Sequence, residues 1–229
     1  MKVPILCYHK VGTEEAEGRR LNIHPGRLDS HVRYFLRRGF SFLRASELAN
    51  WPSKPSVCFT FDGGYESTFA NGQPVFDKHR VPMCVYVVSE LVGLSSEWDG
   101  EQSRSLADWD VLKDAQSEGH EIGNHTAHHV FLGRSPEEVQ QREVRDCKAQ
   151  LDIHGIQSSS FCYPYGSLDQ LSSEIVKISG YTVGLALGKT LATDADDRLR
   201  LPRIVIAYGD ALPMLIYKMR IKPFFRKSD

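Results

Sequence analysis

Short apolar runs rich in β-branched and aromatic residues alternate along this chain with segments whose apolar residues recur at helical spacing. Strands are predicted at residues 3–9, 56–62, 81–88, 120–125, 159–164, 182–187 and 201–206. Helices are predicted between them, at residues 25–38, 65–79, 105–118, 135–153 and 168–179. Such repeated alternation predicts an α/β fold whose parallel sheet is closed or nearly closed into a barrel.

The clearest helix start lies at Ser135. Ser135 stands where an N-cap is expected, Pro136 would be the first helical residue, and Glu138 follows three residues after the serine. This pattern predicts a helix that runs from there to about Ile153.

Length and charge limit the kinds of partner. A chain of 229 residues with 41% hydrophobic content is long enough for one well-packed domain, and no linker-like tract divides it, so we predict a single domain over residues 1–229. The formal net charge is -1, which provides no overall basic field for nucleic acid.

The N-terminal run MKVPILCYHKVG has an apolar stretch too short for a signal-peptide core. No stretch reaches the roughly 18 apolar residues of a membrane span. The five cysteines are odd in number and lie mostly inside apolar runs, which predicts reduced, buried thiols. We therefore expect a cytoplasmic protein.

Residues suited to chemistry fall where the predicted strands end. His9 ends the first strand, Asp62 the second, and His125 the strand HEIGNH, while the turn 163–166 follows another strand. In a (β/α) barrel the functional residues lie at the carboxyl ends of the strands. This placement favours one shared site over unrelated turn and capping residues.

The segment HTAHH contains a candidate metal-binding pair. If a helical turn begins at His125, then His129 lies four residues later on the same face, and both imidazoles can reach one ion. His128 would then point elsewhere. A solvated polar turn is the alternative, and the tight entry at Gly123 and Asn124 favours a site.

Four motifs in order resemble those of one family. PILCYHKVG (4–12) resembles an opening PILMYHRV-type strand, FTFDGGYEST (59–68) a TFDDG motif, EIGNHTAHH (121–129) an HSxxH-type motif, and FCYPYG (161–166) an FAYPYG motif. The chain thus resembles the polysaccharide deacetylase family, the NodB-homology carbohydrate esterases, over nearly its whole length. The resemblance implies a distorted (β/α) barrel and metal-assisted removal of acetyl groups from amino sugars.

The resemblance also implies roles for individual residues. Asp62 would be the general base that takes a proton from metal-bound water, and His125 and His129 would be ligands of a divalent metal, zinc by expectation. His9 would be the general acid, because in the subgroup with this N-terminal YH motif the acid histidine comes from that motif.

Three residues are expected to bind the substrate. Tyr165 would help to shape the oxyanion site, and Pro164 belongs to the same turn. Trp109, in the helix before HTAHH, would stack on the sugar, with a core or interface indole as the alternative. The polar stretch 94–105 is predicted to form a loop, which could be a lip over the site.

One position departs from the family pattern. Gly63 stands where the second aspartate, the third metal ligand, is expected. Asp62 could turn onto the metal, the two histidines could bind it weakly with waters, or the chain could be a deacetylase-like carbohydrate-binding protein with impaired catalysis. Cys162, at a position that carries alanine in the subgroup and arginine elsewhere, is interpreted as a packing residue.

The predicted substrate is an acetylated amino-sugar glycan or glycoconjugate, deacetylated at nitrogen or oxygen. The tail 210–229 interleaves basic and apolar residues. It is predicted to be a last helix that packs on the barrel, with a peripheral membrane contact near lipid-linked sugars as the alternative.

Overall fold

A curved, almost entirely parallel sheet forms the centre of the molecule in a computed structural model that describes residues 1–220. The strands are β1 (Lys2–Val3), β2 (Ile5–Tyr8), β3 (Lys10–Val11), β4 (Asn22–Ile23), β5 (Ser41–Phe42), β6 (Ser56–Gly63), β7 (Cys84–Val87), β8 (Glu121–Asn124), β9 (Ser160–Cys162), β10 (Val183–Leu185), β11 (Ala192–Thr193) and β12 (Ile204–Val205). The α-helices are α1 (Glu14–Glu17), α2 (Pro25–Leu36), α3 (Gln73–His79), α4 (Trp109–Ser117), α5 (Glu137–Ile153), α6 (Gln170–Ile178) and α7 (Leu212–Arg220).

The main sheet has the strand order β10-β9-β8-β7-β6-β2-β12, and β5 pairs beside β6. Its strand pairs are parallel, as helical crossovers require. Isolated parallel bridges join Leu185 to Leu201 and Gly188 to Ile204, so the two edges of the sheet approach each other. The predicted, nearly closed (β/α) barrel is confirmed.

The two-residue period of β6 explains how one strand serves both core and site. Phe59 and Phe61 face outward and pack against aromatic side chains of α2 and α3. Cys58 belongs to a separate buried cluster on the other side, and Thr60 and Asp62 follow it with the same spacing. Alternation thus brings Asp62 to the inner face at the carboxyl end of the strand.

The start of α5 differs from the prediction by one residue. Pro136, not Ser135, is the N-cap, and it makes no side-chain capping bond. The Ser135 hydroxyl donates instead to the carbonyl of Phe131 and closes the preceding turn. The helix still ends at Ile153 as predicted.

Helix α7 packs on the barrel through its buried residues Leu215 and Met219. Lys218 pairs with Asp210 and donates a hydrogen bond to the carbonyl of Val205 at 2.9 Å, so this ammonium is held against the protein. Of the other basic residues of the predicted membrane contact, Arg220 ends α7, and Lys222, Arg226 and Lys227 lie outside the described residues, so that contact stays a prediction. Among residues 1–220, no helix has the length and apolar character needed to cross a bilayer.

Candidate active site

One cavity opens where the strands have their carboxyl ends, and it encloses about 140 Å³. Five of the predicted site residues line it: His9, Asp62, His125, His129 and Tyr165. They come from four separate segments, which meet because parallel strands end at the same edge of the sheet. The structure thus brings these residues together, while their roles stay predictions.

Asp62 is held by a buried arginine. The Arg203 guanidinium donates to both carboxylate oxygens, with Nη1 at 2.6 Å from Oδ1 and Nη2 at 2.7 Å from Oδ2. Arg203 also donates to Thr60 Oγ1 at 3.0 Å, and Nη2 lies 3.0 Å from the Cys162 sulfur. Burial alone would raise the pKa of Asp62, but the charge and hydrogen bonds of Arg203 outweigh it and hold that pKa well below its usual range. The carboxylate is therefore ionised, as a base must be.

Sequence reasoning did not identify Arg203. The residue is completely buried and lies just before β12, inside the apolar run LPRIVI. A lone arginine in such a run is a usable signal, because arginine is almost never fully buried unless it is paired. The partner could not be named from sequence, since Asp62 is 141 residues away along the chain.

His125 and His129 meet through an irregular loop and not through the predicted helical turn. Thr126 and His129 adopt positive φ angles of 68° and 59°, which a right-handed helix excludes. The Thr126 hydroxyl accepts a hydrogen bond from the His129 amide and closes the loop. The two imidazole centroids lie 4.9 Å apart. His128 points away, as predicted, and bonds to Glu143.

The two imidazoles fit ligation of a cation. His125 Nδ1 lies 2.7 Å from the carbonyl oxygen of Cys162, so Nδ1 carries the proton and Nε2 keeps its lone pair. His129 Nδ1 is buried without a hydrogen-bond partner in the described part of the chain. Burial lowers the pKa of both rings, that of His129 to about 2, which keeps them in the neutral form that binds metals.

A third protein ligand is not preformed. Within residues 1–220, the sets of three potential ligand atoms at this site are Cys7, His9 and Asp62, and Asp62, His125 and Cys162. Both sets depend on Asp62, whose oxygens Arg203 already holds, and on thiols whose pKa burial raises. The site therefore fits a cation held by His125 and His129 and completed by ligands from outside the protein.

Gly63 has no room for the missing carboxylate. Its φ angle of +101° lies in a region that side chains rarely adopt. A Cβ atom added there would lie 2.5 Å from Cε2 of Tyr65, so the tyrosine ring fills the space beside the glycine. A carboxylate at residue 63 would therefore require the Tyr65 ring to move.

The tryptophan at the cavity is Trp98 and not Trp109. Trp98 stacks on His129, with ring centroids 4.3 Å apart and planes at 21°, and it belongs to the predicted lip segment. Trp109 begins α4, and its ring stacks instead on His154 at 3.9 Å. Trp109 is partly buried against the core, as the alternative of a core indole expects, and it does not line the cavity.

Two residues of the turn after β9 were predicted to bind the substrate, and one of them lines the cavity. Tyr165 has a φ of 59°, and its half-exposed ring lies 4.6 Å from the His129 ring and stacks on Phe131. Pro164 is buried and does not line the cavity, so it supports the turn from behind. The left-handed backbone at Tyr165 is what directs its ring across the mouth.

His9 lines the cavity beside Asp62. Its carbonyl accepts a hydrogen bond from Thr68 Oγ1 at 2.7 Å, which fixes the end of β2. Its Nδ1 is buried and has no partner within residues 1–220. Burial lowers the pKa of His9 to about 4, so the ring is neutral near pH 7.

Another cluster of potential metal ligands lies beside the start of β8, at the end of that strand away from the cavity. It consists of Asp77, Glu118 and His120. His120 Nδ1 accepts from the Met83 amide, and Nε2 therefore donates to Asp77 at 2.9 Å. With both nitrogens occupied, this cluster is a structural hydrogen-bond network.

The chain is similar in sequence to known proteins. The sequence model of a family described as polysaccharide deacetylase matches residues 49–184. The chain is 20% identical over 215 residues to a poly-beta-1,6-N-acetyl-D-glucosamine N-deacetylase of Staphylococcus aureus (strain MSSA476), covering 87% of this chain and 72% of that protein.

Solved structures share the fold. The deacetylase PplD of Streptococcus pyogenes superposes with a TM-score of 0.82 and 24% identity, covering 96% of this chain and 99% of that one. IcaB from Ammonifex degensii superposes with a TM-score of 0.81 and 24% identity, covering 93% of this chain and 95% of that one. Since the family match spans more than half of the sequence, this chain belongs to the polysaccharide deacetylase family.

Proposed function

We propose that the protein is a carbohydrate deacetylase that hydrolyses the acetamide of an N-acetylated amino sugar in a glycan or glycoconjugate. The observation that carries this proposal is the convergence, in one cavity, of an arginine-held carboxylate and three neutral imidazoles. A base, a cation site and a second protonatable group are the parts that amide hydrolysis requires.

The lining of the cavity supports an acylated sugar as the substrate. Asp62 and His125 are deeply buried in this lining, and Trp98 and Tyr165 are more exposed. An acyl group would lie against Asp62 and the histidines, and the sugar ring would lie on the aromatic surfaces of Trp98 and Tyr165.

The family is generally dependent on a divalent metal, and here His125 and His129 would hold it. When bound, such a cation lowers the pKa of water and polarises the acyl carbonyl. Imidazole ligands suit zinc, which we propose as the ion. Asp62 accepts the proton of the attacking water, and Arg203 keeps the carboxylate oriented. His9 is neutral at rest, so it takes up the proton that Asp62 removes from water and passes it to the departing amine, which leaves poorly without one.

The name of the Staphylococcus aureus relative supports an N-acetylglucosamine polymer as the substrate class. The test is acetate release from N-acetylglucosamine oligomers by the zinc-loaded protein, with Asp62→Asn as the control. Turnover that disappears in the variant supports the proposal. Turnover equal in both proteins contradicts the role of Asp62.

A second candidate function is favoured by Gly63. With one family ligand absent, the protein could bind an acetylated glycan without hydrolysing it. Oligomer binding by calorimetry without acetate release at any zinc concentration would support this candidate over the enzyme.

A further inference from the structure

We propose that Asp99 is a specificity-determining residue whose carboxylate accepts hydrogen bonds from the hydroxyls of the sugar ring that carries the acyl group, and that Tyr65 positions it. The inference rests on the proposed function, since it concerns the sugar side of the same substrate. It concerns the lip segment, residues 94–105, whose Trp98 and Asp99 form one wall of the cavity.

The lip segment is fastened to the turn that follows β6. The Glu66 amide donates to the carbonyl of Ser105 at 3.0 Å, and the Ala107 amide donates to that of Gly64 at 2.9 Å. An antiparallel bridge joins Tyr65 to Leu106. These backbone bonds hold the lip segment at a defined distance from Asp62 and the histidines.

Tyr65 connects the floor of the cavity to the lip. Its ring occupies the space beside Gly63 that an aspartate would need. Its hydroxyl donates to Asp99 Oδ2 at 2.6 Å and accepts from Trp98 Nε1 at 3.2 Å. The Ser96 hydroxyl donates to the same Asp99 oxygen at 3.0 Å. One side chain, Tyr65, thus fills the space beside Gly63 and also holds Asp99 in place.

The other carboxylate oxygen of Asp99, Oδ1, makes no hydrogen bond within residues 1–220, and Asp99 is half-buried at the cavity wall. A carboxylate fixed through one oxygen presents the second as an oriented acceptor. Sugar hydroxyls are matching donors, and hydrogen bonds to a charged acceptor are shorter and stronger than neutral ones. Trp98, the preceding residue, supplies an apolar surface for the ring of the same sugar.

Because these bonds form with the sugar ring and not with the reacting acyl group, they should act on substrate and transition state alike. Uniform binding of that kind changes KM and leaves kcat nearly unchanged. Loss of a charge-assisted hydrogen bond weakens binding by about 10- to 100-fold.

The experiment compares wild type, Asp99→Asn and Tyr65→Phe on two substrates, an N-acetylglucosamine oligomer and para-nitrophenyl acetate, which has no sugar hydroxyls. Glu97→Gln is the matched control, because it removes a charge from an exposed position on the same lip segment. We expect Asp99→Asn to raise KM for the oligomer by about 10- to 100-fold with kcat within about threefold. Tyr65→Phe should act in the same direction, the loss should be larger on the oligomer than on the ester, and Glu97→Gln should match the wild type on both substrates.

Equal losses on both substrates would mean that Asp99 only supports the fold of the lip segment, and an unchanged KM would also overturn the proposal. If no protein turns over either substrate, the proposed function fails and calorimetric binding of the oligomer decides the inference separately. Binding at least tenfold weaker in Asp99→Asn supports it, and equal or absent binding in wild type and variant overturns it. Tighter binding of oligomers with free amines than of fully acetylated ones would replace hydroxyl recognition with amine recognition.

Discussion

Arg203 and Asp62 form a buried, bidentate ion pair in which each carboxylate oxygen receives its own N–H donor. The pair joins the segment before β12 to the end of β6, the two strands that flank β2. It therefore holds the candidate base in one orientation and also links two strands of the sheet. Its removal should affect both stability and activity.

Arg203→Met should lower the free energy of unfolding by about 3–5 kcal/mol, because it leaves a buried carboxylate without a partner. The double variant Arg203→Met with Asp62→Leu should regain much of that loss, since neither charge remains. Urea denaturation measures both effects. Arg145→Met, which removes an exposed ion pair with Asp146, is the control and should change stability by less than about 1 kcal/mol. A double variant no more stable than Arg203→Met would contradict the argument.

Metal binding should depend on two of the three histidines in HTAHH. His125→Ala and His129→Ala should each weaken zinc binding by at least tenfold, because each removes one of only two protein ligands. His128→Ala is the control within the motif, since His128 bonds to Glu143 and its side chain is 56% exposed. Calorimetric titration of zinc gives the affinities. Equal affinities for all three variants would place the metal elsewhere.

Restoring the family carboxylate should require a second change. Gly63→Asp alone puts a side chain at φ +101° against the Tyr65 ring, so it should destabilise the fold by about 1 kcal/mol or more with little gain in metal affinity. Gly63→Asp with Tyr65→Ser provides the space, and zinc affinity should then rise by at least about tenfold.

Gly63→Ala with Tyr65→Ser is the matched control, because it has the same backbone strain and the same space without the carboxylate. Zinc calorimetry on all four proteins separates the contributions. A similar gain in the alanine variant would show that space, and not the carboxylate, limits binding. Tight zinc binding by the wild type would indicate a third ligand of another origin.

His9→Ala should lower kcat for acetate release by about 10² to 10⁴-fold and leave zinc content unchanged, if His9 is the proton donor. Because burial lowers its pKa to about 4, His9 is neutral at rest near pH 7 and must gain its proton during the reaction. Elemental analysis and kinetics on the same preparation provide the two readouts. Lost zinc in this variant would make His9 a ligand instead.

The free energy of unfolding should decrease as the pH is lowered, partly because of His31. Burial lowers its pKa to about 4, while an unfolded histidine titrates near 6.5. Between these values the unfolded chain binds a proton that the folded chain does not, so the free energy of unfolding is full above about pH 6.5 and decreases as the pH falls towards 4. His31→Gln should reduce that slope by up to about 1.4 kcal/mol per pH unit.

Urea denaturation at several pH values between 4 and 7 measures the slope, with His24→Gln as the control at an exposed histidine. Some slope should remain in His31→Gln, because His9 has a pKa of about 4 as well. An unchanged slope would mean that His31 is protonated in the folded protein.

Local sequence patterns were sufficient to predict the alternation of strands and helices and the strand-end residues that line the cavity. Apolar periodicity is local information, and parallel strands must end on a common side of the sheet, so the sequence predicts that His9, Asp62, His125 and Tyr165 lie close together. The lip was also predicted, because a polar stretch between apolar runs is local information too.

Three features could not be predicted from local patterns: Arg203 holds Asp62, Tyr65 fills the space beside Gly63, and the tryptophan at the cavity is Trp98 and not Trp109. Each depends on which distant segments meet and on the direction of individual side chains. The positive φ angles at Gly63 and His129 belong to the same group. Left-handed backbone at a histidine is unfavourable in isolation, and it persists here because the hydrogen bonds of the surrounding loop hold it in place.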